Sequence, residues 1–245
     1  MKAAIVSLFD LTGGMVQPWV VVGYQCFIFD IQHPDVSITQ QLQEGANPVK
    51  ISGDYSKWGA VGYTIFNNFD VKMLFSFPPC TDLAVSGASH FKKKEQADPE
   101  YRNKAMAMVH TGENIATFYD VPFMIENPVS VISSLWRKPD YIFHPYEYGG
   151  YLGADDVSPY DVIPAQDRYT KKTCLWTGNG FIMPEKKPVE LPTNYKYSPQ
   201  HLKLGGAGLK TKNLRSVTPR GFAWAVKFAN DYVGEPNTWA AFRGR

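Results

Sequence analysis

The stretch AAIVSLFDLTGG, residues 3–14, decides the fold class. Residues 3–9 form an uncharged, mostly apolar run, which is typical of a short strand buried on both faces. The run stops at Asp10, and Gly13 and Gly14 follow it. A glycine pair lets the backbone approach a ligand closely, although a plain turn produces the same pattern. The sequence therefore predicts a buried strand that ends in a turn or a ligand-binding loop.

Short apolar runs recur along the chain and predict further strands. They lie at residues 25–30, 71–75, 122–125, 140–144 and 173–176, and helix-length stretches such as 15–22 and 99–119 separate them. This alternation predicts an α/β fold with a doubly wound, mostly parallel sheet. Ligands bind beyond the carboxyl ends of the strands in such sheets. We therefore expect Asp10, Asp30, Cys80 and Glu126 to lie along one edge of the sheet.

Composition narrows the class of protein. The chain has 245 residues and a formal net charge of +2, which suits one α/β domain but is far less basic than a dedicated nucleic-acid coat. Its three cysteines are widely spaced, so a structural zinc site and a disulfide framework are not expected. The apolar runs are too short for a signal peptide or a membrane span. These features predict a cytoplasmic protein with no membrane partner.

Three segments are expected along the chain. Residues 1–177 carry the alternating pattern, whereas residues 178–214 are rich in proline, glycine and lysine, which is typical of an irregular appendage. In residues 215–245, Thr218 is a candidate N-cap and Pro219 a candidate first helical residue. We expect that helix to continue to about residue 232 and to return to the first segment.

Two residues are the strongest candidates for chemistry. Cys80 follows Pro78 and Pro79, which stiffen the loop and would hold a thiol in place for nucleophilic attack, although a free cysteine is more often a buried small apolar residue. Glu126 follows another predicted strand and could act as a hydrogen-bond partner or proton donor, or else cap a helix. The five histidines show no ligand spacing, so no metal site is expected. The lysines at 92–94 suggest a solvated face.

The order of the motifs resembles that of the DNA cytosine-5 methyltransferase family, in the short form found in phage genomes. FDLTGG, residues 9–14, resembles its cofactor loop, except that Leu11 replaces a glycine. FPPC, residues 77–80, is similar to its nucleophile block, and ENP, residues 126–128, to its Glu-Asn-Val block. RSVTPR, residues 215–220, resembles the block that braces the target-recognition region.

The resemblance implies a site for S-adenosylmethionine, which leaves as S-adenosylhomocysteine, and a site for cytosine. The residues implied to hold the cofactor are Phe9, Asp10, Thr12, Gly13, Gly14, Asp30, Asp54 and Pro78. Those implied to act in catalysis are Cys80, Glu126, Asn127, Arg168 and Lys172. The implied reaction is addition of the Cys80 thiolate to C6 of a flipped cytosine in DNA, with Glu126 at N3, followed by methylation of C5.

The chain also departs from the family pattern. The Gln-x-Arg-x-Arg block is not cleanly present, since Gln166-Asp-Arg168 and Lys171-Lys172 both lie near its place, so the cation that faces cytosine stays open. The large recognition domain and the final Gly-Asn-x-Val-Pro block are missing. Two alternatives therefore remain. One is the same chemistry on a free deoxycytidine nucleotide or RNA, and the other is a non-catalytic module that binds nucleic acid.

Overall fold

The computed structural model describes residues 1–53, 58–192 and 208–231. These residues form one seven-stranded sheet with the strand order β3-β2-β1-β4-β5-β7-β6. The strands are β1 (Lys2–Leu8), β2 (Gln25–Asp30), β3 (Val49–Ser52), β4 (Phe69–Ser76), β5 (Phe123–Pro128), β6 (Tyr141–Phe143) and β7 (Thr173–Gly178).

Strands β1 to β5 pair in parallel, and β7 runs antiparallel to both of its neighbours. The sheet is therefore mostly parallel, as expected. The strand order, with one antiparallel strand inserted between β5 and β6, is that of the S-adenosylmethionine-dependent methyltransferase fold. The predicted fold class is confirmed.

Helices cover both faces of this sheet. They are α1 (Gln17–Val21), α2 (Ile38–Gln43), α3 (Trp58–Asn68), α4 (Phe91–Ala97), α5 (Tyr101–Phe118), α6 (Ile132–Leu135), α7 (Leu209–Ser216) and α8 (Arg220–Asn230). Apolar residues of α2, α3 and α5 pack on one face of the sheet, and those of α1 and α8 pack on the other. A sheet buried on both faces explains why its strands read as continuous apolar runs.

Helix α5 shows how the sequence produces this packing. Its buried residues Ala105, Val109, Gly112 and Ala116 recur every three or four positions and form one face. Gly112 lies directly against β4, where an added Cβ would come within 2.8 Å of the Cβ of Ser76. The glycine therefore allows the helix to approach the sheet closely, next to the carboxyl edge that bears the candidate site.

Several element boundaries differ from the expectation. Strand β3 was not predicted, because four residues alternating between buried and exposed give only a weak signal. Strand β5 continues through Pro128, so Glu126 and Asn127 lie within the strand rather than after it. Helix α8 begins at Arg220, and its N-cap residue is Pro219, so Thr218 does not cap it. The helix ends at Asn230, with Asp231 as its C-cap, close to the expected end near residue 232.

The described part of segment 178–214 packs on the body of the domain. Backbone hydrogen bonds of 2.8–2.9 Å join Lys187 to Glu147 and Gly150, and Val189 to Tyr146. These partners lie in and beside a 3-10 helix, Pro145–Tyr151, which contacts α8. The expectation for residues 193–207 falls on a part of the chain that lies outside the described residues. None of the helices described is long and apolar enough to cross a membrane.

Candidate active site

The carboxyl ends of the central parallel strands form one edge. There, the backbone amide of Asp10 donates to the carbonyl of Phe29 at 2.9 Å. The backbone amide of Phe77 donates to the carbonyl of Leu8 at 3.0 Å. The loop after β1 is thereby joined to the end of β2, and the loop after β4 to the end of β1. The structure brings the predicted cofactor and nucleophile loops together at this edge.

The loop after β1 is braced from within by Asp10. This carboxylate is 4% exposed and accepts hydrogen bonds from the Ser7 hydroxyl at 2.8 Å and from the Gly13 amide at 2.7 Å. Burial raises its pKa, and these hydrogen bonds oppose that rise. Both of its oxygens point into the protein, so the contribution of Asp10 to the implied cofactor site would be to hold the loop in shape.

The remaining loop residues form a tight turn. Phe9 and Gly13 both adopt left-handed conformations, with φ of 56° and 66°. The Thr12 hydroxyl accepts a hydrogen bond from the Gly14 amide at 3.2 Å. An added Cβ at Gly13 would meet Ile28 at 3.3 Å, so the turn lies close to β2. Phe9 is partly buried and packs against the core on the α5 side.

Asp30 is the last residue of β2 and is half-buried. One carboxylate oxygen accepts from the Gln32 amide at 2.8 Å, while its backbone carbonyl accepts from the amides of His33 and Gly53. This arrangement places a carboxylate beside the Phe9–Gly14 turn, as a ribose site requires. The resemblance implies S-adenosylmethionine at this edge, and the turn and Asp30 are the described residues that would hold it. Asp54, the expected adenine contact, lies outside the described residues.

Cys80 opens a short 3-10 helix, Cys80–Asp82, after β4. It is exposed, whereas Cys26 and Cys174 are buried. The interpretation of Cys80 as a buried apolar residue is therefore wrong. Its position at the edge of the sheet leaves it open to a reaction partner.

Two side chains hold the turn that carries Cys80. On one side, the Asn127 amide group donates to the carbonyl of buried Pro78 at 2.9 Å. On the other, Lys94 donates to the carbonyl of Thr81 at 2.7 Å and pairs with Asp82 at 2.6 Å. Asn127 thus positions the loop rather than facing solvent. The sequence suggests a solvated face for the lysines at 92–94. Lys94 instead braces the turn through these two contacts.

Glu126 lies on β5, where it pairs with Leu175 of β7. It therefore caps no helix. Its side chain is half-buried, and among the described residues its carboxylate has no hydrogen-bond partner. Burial raises its pKa, and the positive charge of Lys171 partly offsets that rise. A raised pKa increases the fraction of protonated carboxyl near neutral pH, which suits a proton donor.

The Cys80 thiol also titrates above its ordinary range. Desolvation is the main cause of its raised pKa, the negative charge of Glu126 adds to it, and the charges of Lys171 and Lys212 lower it. The negative charge of Glu126 thus disfavours the Cys80 thiolate. Since thiolate is the reactive form, neutralising Glu126 would favour reaction at Cys80.

Arg168 and Lys172, the two cations expected to act in catalysis, lie on the segment before β7. Arg168 is exposed and donates to the side chain of Gln166. Lys172 is exposed, and its positive charge lowers the pKa of Cys174 and of His144. The positive charge of Lys171 lowers the pKa of both Cys80 and Glu126. Lys171 lies near the place of the missing arginine block but is not among the residues implied to act in catalysis. Which cation faces cytosine stays a prediction, with Arg168, Lys171 and Lys172 as its candidates.

The RSVTPR block, residues 215–220, is anchored by an ion-pair cluster. Arg220 binds both carboxylate oxygens of Asp156, at 2.7 and 2.8 Å, and lies 3.4 Å from buried Asp167. Asp167 also accepts from the Gly221 amide at 2.8 Å. The cluster fixes the start of α8 against residues 156–167. It thereby holds the segment that follows α7.

Comparisons with known proteins add little to this geometry. The chain matches no protein-family model and no curated protein. Among solved structures, it is similar to a protein proposed to be a DNA modification methyltransferase encoded within an E. coli prophage, with 14% identity and a TM-score of 0.42. The match covers 72% of this chain and 46% of that chain. A likeness this low does not identify an activity, which must be inferred from the site.

Proposed function

We propose that this chain transfers a methyl group from S-adenosylmethionine to carbon 5 of cytosine in DNA, with Cys80 as the covalent nucleophile. One observation carries the proposal. The exposed Cys80 thiol and the Glu126 carboxylate, which lacks a hydrogen-bond partner among the described residues, lie at the ends of adjacent parallel strands. A nucleophile and a protonatable acid near the ends of neighbouring strands suit addition to a ring that must be protonated at the same time.

The first step is addition of the Cys80 thiolate to C6 of cytosine. The new C–S bond takes its electrons from sulfur, and the C5–C6 double-bond electrons move into the ring towards N3. Glu126, whose pKa burial raises, donates a proton to N3 and prevents negative charge from building there. The ring is then an enamine, which is nucleophilic at C5.

S-adenosylmethionine, when bound, supplies an electrophilic methyl group to C5. The residues that would hold it are the Phe9–Gly14 turn and Asp30, and the inward-facing carboxylate of Asp10 keeps the turn in shape. After C5 is methylated, a base removes its proton, the C6–S bond breaks and Cys80 is released. Glu126 takes back the N3 proton, so the site returns to its starting charge.

Exposed cations near the site favour a polyanionic substrate. Lys171 donates a hydrogen bond to the carbonyl of Arg215, which joins the segment before β7 to α7. Arg168, Lys172, Lys212 and Arg215 are exposed on these two segments. Such a basic rim would neutralise phosphates on either side of a flipped nucleotide. This supports DNA as the substrate, although the net charge of the chain is only +2.

A trapping experiment tests the proposed chemistry. Duplex DNA containing 5-fluorocytosine should form a stable adduct with Cys80 that requires S-adenosylmethionine, because fluorine cannot leave C5 as a proton does. Cys80→Ser should form no adduct and transfer no methyl group, since a serine hydroxyl is far less ionised near neutral pH. Cys26→Ser is a control for loss of a buried thiol. Methyl transfer by the Cys80→Ser protein would exclude the mechanism.

The connection between β7 and α7 is short for a target-recognition domain. This favours a second substrate class, namely a free deoxycytidine nucleotide or RNA. The substrates can be separated by offering duplex DNA, single-stranded DNA, RNA and dCMP with labelled S-adenosylmethionine. Affinity for DNA should fall steeply with salt, because each neutralised phosphate releases counterions. Methylation of dCMP alone, with a weak salt dependence, would favour the free nucleotide instead.

A further inference from the structure

His33 is a buried histidine that contacts both loops of the proposed cofactor site. It is 6% exposed and lies three residues after Asp30, the last residue of β2. Its backbone amide donates to the Asp30 carbonyl at 3.2 Å, and its Nε2 atom lies 3.0 Å from the carbonyl oxygen of Asp10. A carbonyl oxygen only accepts hydrogen bonds, so Nε2 carries the proton and donates. One residue thus binds the loop after β2 and the loop after β1.

The bond from His33 completes the hydrogen bonding of Asp10. The Asp10 amide donates to the Phe29 carbonyl, and the carboxylate accepts from Ser7 and Gly13. The carboxylate bonds stay within the loop and its strand, whereas both backbone bonds lead across to β2 and the turn after it. His33 therefore supplies the side-chain half of a two-point attachment between neighbouring loops. Leaving the buried Asp10 carbonyl without this donor would be costly.

The two loops would contact different parts of the proposed cofactor. The Asp30 carboxylate is the expected ribose acceptor, and the Gln32 amide holds it in place by donating to it at 2.8 Å. The Phe9–Gly14 turn would approach the rest of the molecule through its backbone. A ligand that contacts two loops binds more tightly when both already lie at the right spacing, because neither must be ordered on binding. The bond between His33 and Asp10 fixes this spacing.

We infer that His33 is a positioning residue, which holds the Phe9–Gly14 turn at the spacing from Asp30 that S-adenosylmethionine requires. This role rests on the proposed function, since it concerns the cofactor of that reaction. His33 acts through the backbone of Asp10 rather than by touching the cofactor. Loss of its hydrogen bond should therefore weaken cofactor binding in a protein that is still folded.

Calorimetry of the full-length protein with S-adenosylhomocysteine tests the inference. His33→Phe keeps a planar ring but has no donor for the Asp10 carbonyl, so the affinity should fall by about 10-fold, as loss of one hydrogen bond implies. His33→Gln carries an amide that can donate from nearly the position of Nε2, and it should restore most of the affinity. His90→Phe, at an exposed histidine, is the matched control and should bind as wild type.

Hydrogen exchange of the ligand-free protein separates positioning from stability. In the His33→Phe protein, the amides of residues 9–14 should exchange faster than in wild type, because the turn has lost one of its attachments. The amides of β1 and β2 should keep their wild-type rates, since the sheet is unchanged. Equally faster exchange in the turn and in both strands would show a structural role only and would overturn the inference.

The remaining outcomes are also decisive. If His33→Phe does not fold, His33→Met replaces it, because methionine lacks a donor and fits irregular spaces. Wild-type affinity in the folded donor-free variant, or an equal loss of affinity in His33→Gln, would contradict the inference while leaving the proposed function intact. Failure of the proposed function would show separately, as wild-type protein that does not bind S-adenosylhomocysteine or that forms no adduct with 5-fluorocytosine.

Discussion

The side-chain amide of Asn127 donates a 2.9 Å hydrogen bond to the carbonyl oxygen of Pro78. Both groups are buried, and the bond joins the end of β5 to the loop that presents Cys80. The residue beside the candidate proton donor therefore holds the loop of the candidate nucleophile. This bond makes the distance between Cys80 and Glu126 a property of the fold rather than of a mobile loop.

Replacing Asn127 should damage both stability and chemistry. Asn127→Ala leaves the Pro78 carbonyl buried without a partner, which should lower the free energy of unfolding by about 1–3 kcal/mol in urea titrations. Methyl transfer should fall while binding of S-adenosylmethionine, measured by calorimetry, stays near wild type. Asn67→Ala, at an exposed helical position, is the control. Unchanged transfer by the Asn127→Ala protein would mean that the bond does not position Cys80.

Glu126→Gln should stabilise the protein while slowing methyl transfer. A carboxyl whose folded pKa is raised binds its proton more tightly when folded, so its contribution to stability falls as pH rises above its ordinary value of 4.5. Glutamine removes this penalty. We expect melting temperatures that match near pH 5 and differ in favour of Glu126→Gln by about 2–4 °C near pH 8, the shift that 1 kcal/mol gives at this size. A lower melting temperature for the variant at pH 8 would contradict the buried, raised-pKa assignment.

Lys94→Met should loosen the turn that carries Cys80. Its ion pair with Asp82 and its bond to the Thr81 carbonyl are lost together. Methyl transfer should fall by about 10- to 100-fold, because small displacements of a reacting group are costly. The loss of Lys94 also leaves the Asp82 carboxylate unpaired two residues from Cys80, so the pH profile of Cys80 alkylation by iodoacetamide should move upward. Exposed Lys93 supplies the control variant, Lys93→Met, which should behave as wild type.

Asp30→Ala should weaken binding of S-adenosylmethionine. If its carboxylate holds the ribose hydroxyls, the loss should be about 1.5–3 kcal/mol by calorimetry, as expected for hydrogen bonds to a charged group. Glu44→Ala removes an exposed carboxylate at the C-cap of α2 and should bind the cofactor normally. Wild-type affinity in the Asp30→Ala protein would assign Asp30 to the turn that it forms with Gln32.

Gly221→Ala should destabilise the fold. An added Cβ would lie 2.3 Å from the backbone oxygen of Tyr148, where neither backbone can yield easily. We expect a loss of about 1–3 kcal/mol or more in urea unfolding. Gly59→Ala is a matched control, because its added Cβ meets nothing within 4 Å on helix α3, and alanine favours a helix. Equal stability of the two variants would show that α8 can move away from residues 145–151.

Local sequence was sufficient for much of the fold. The runs that form β1, β2 and β4 are apolar because both faces of the sheet are covered, and helix α5 shows its buried face at regular spacing. The glycines after β1 and the prolines after β4 also predict that a loop follows each of these strands. In each case the signal lies in neighbouring residues, so no partner in the tertiary structure is needed to detect it.

The sequence by itself determined the fold class, and it selected Cys80 and Glu126 as the candidate residues at one edge of the sheet. The tertiary structure decided what their neighbours do. Asp10 points inward because Ser7 and Gly13 bind it, and Asn127 reaches the Pro78 carbonyl because β5 lies beside β4 in the sheet. The contact between Asn127 and Pro78 joins residues far apart in the sequence, so a local pattern cannot reveal it.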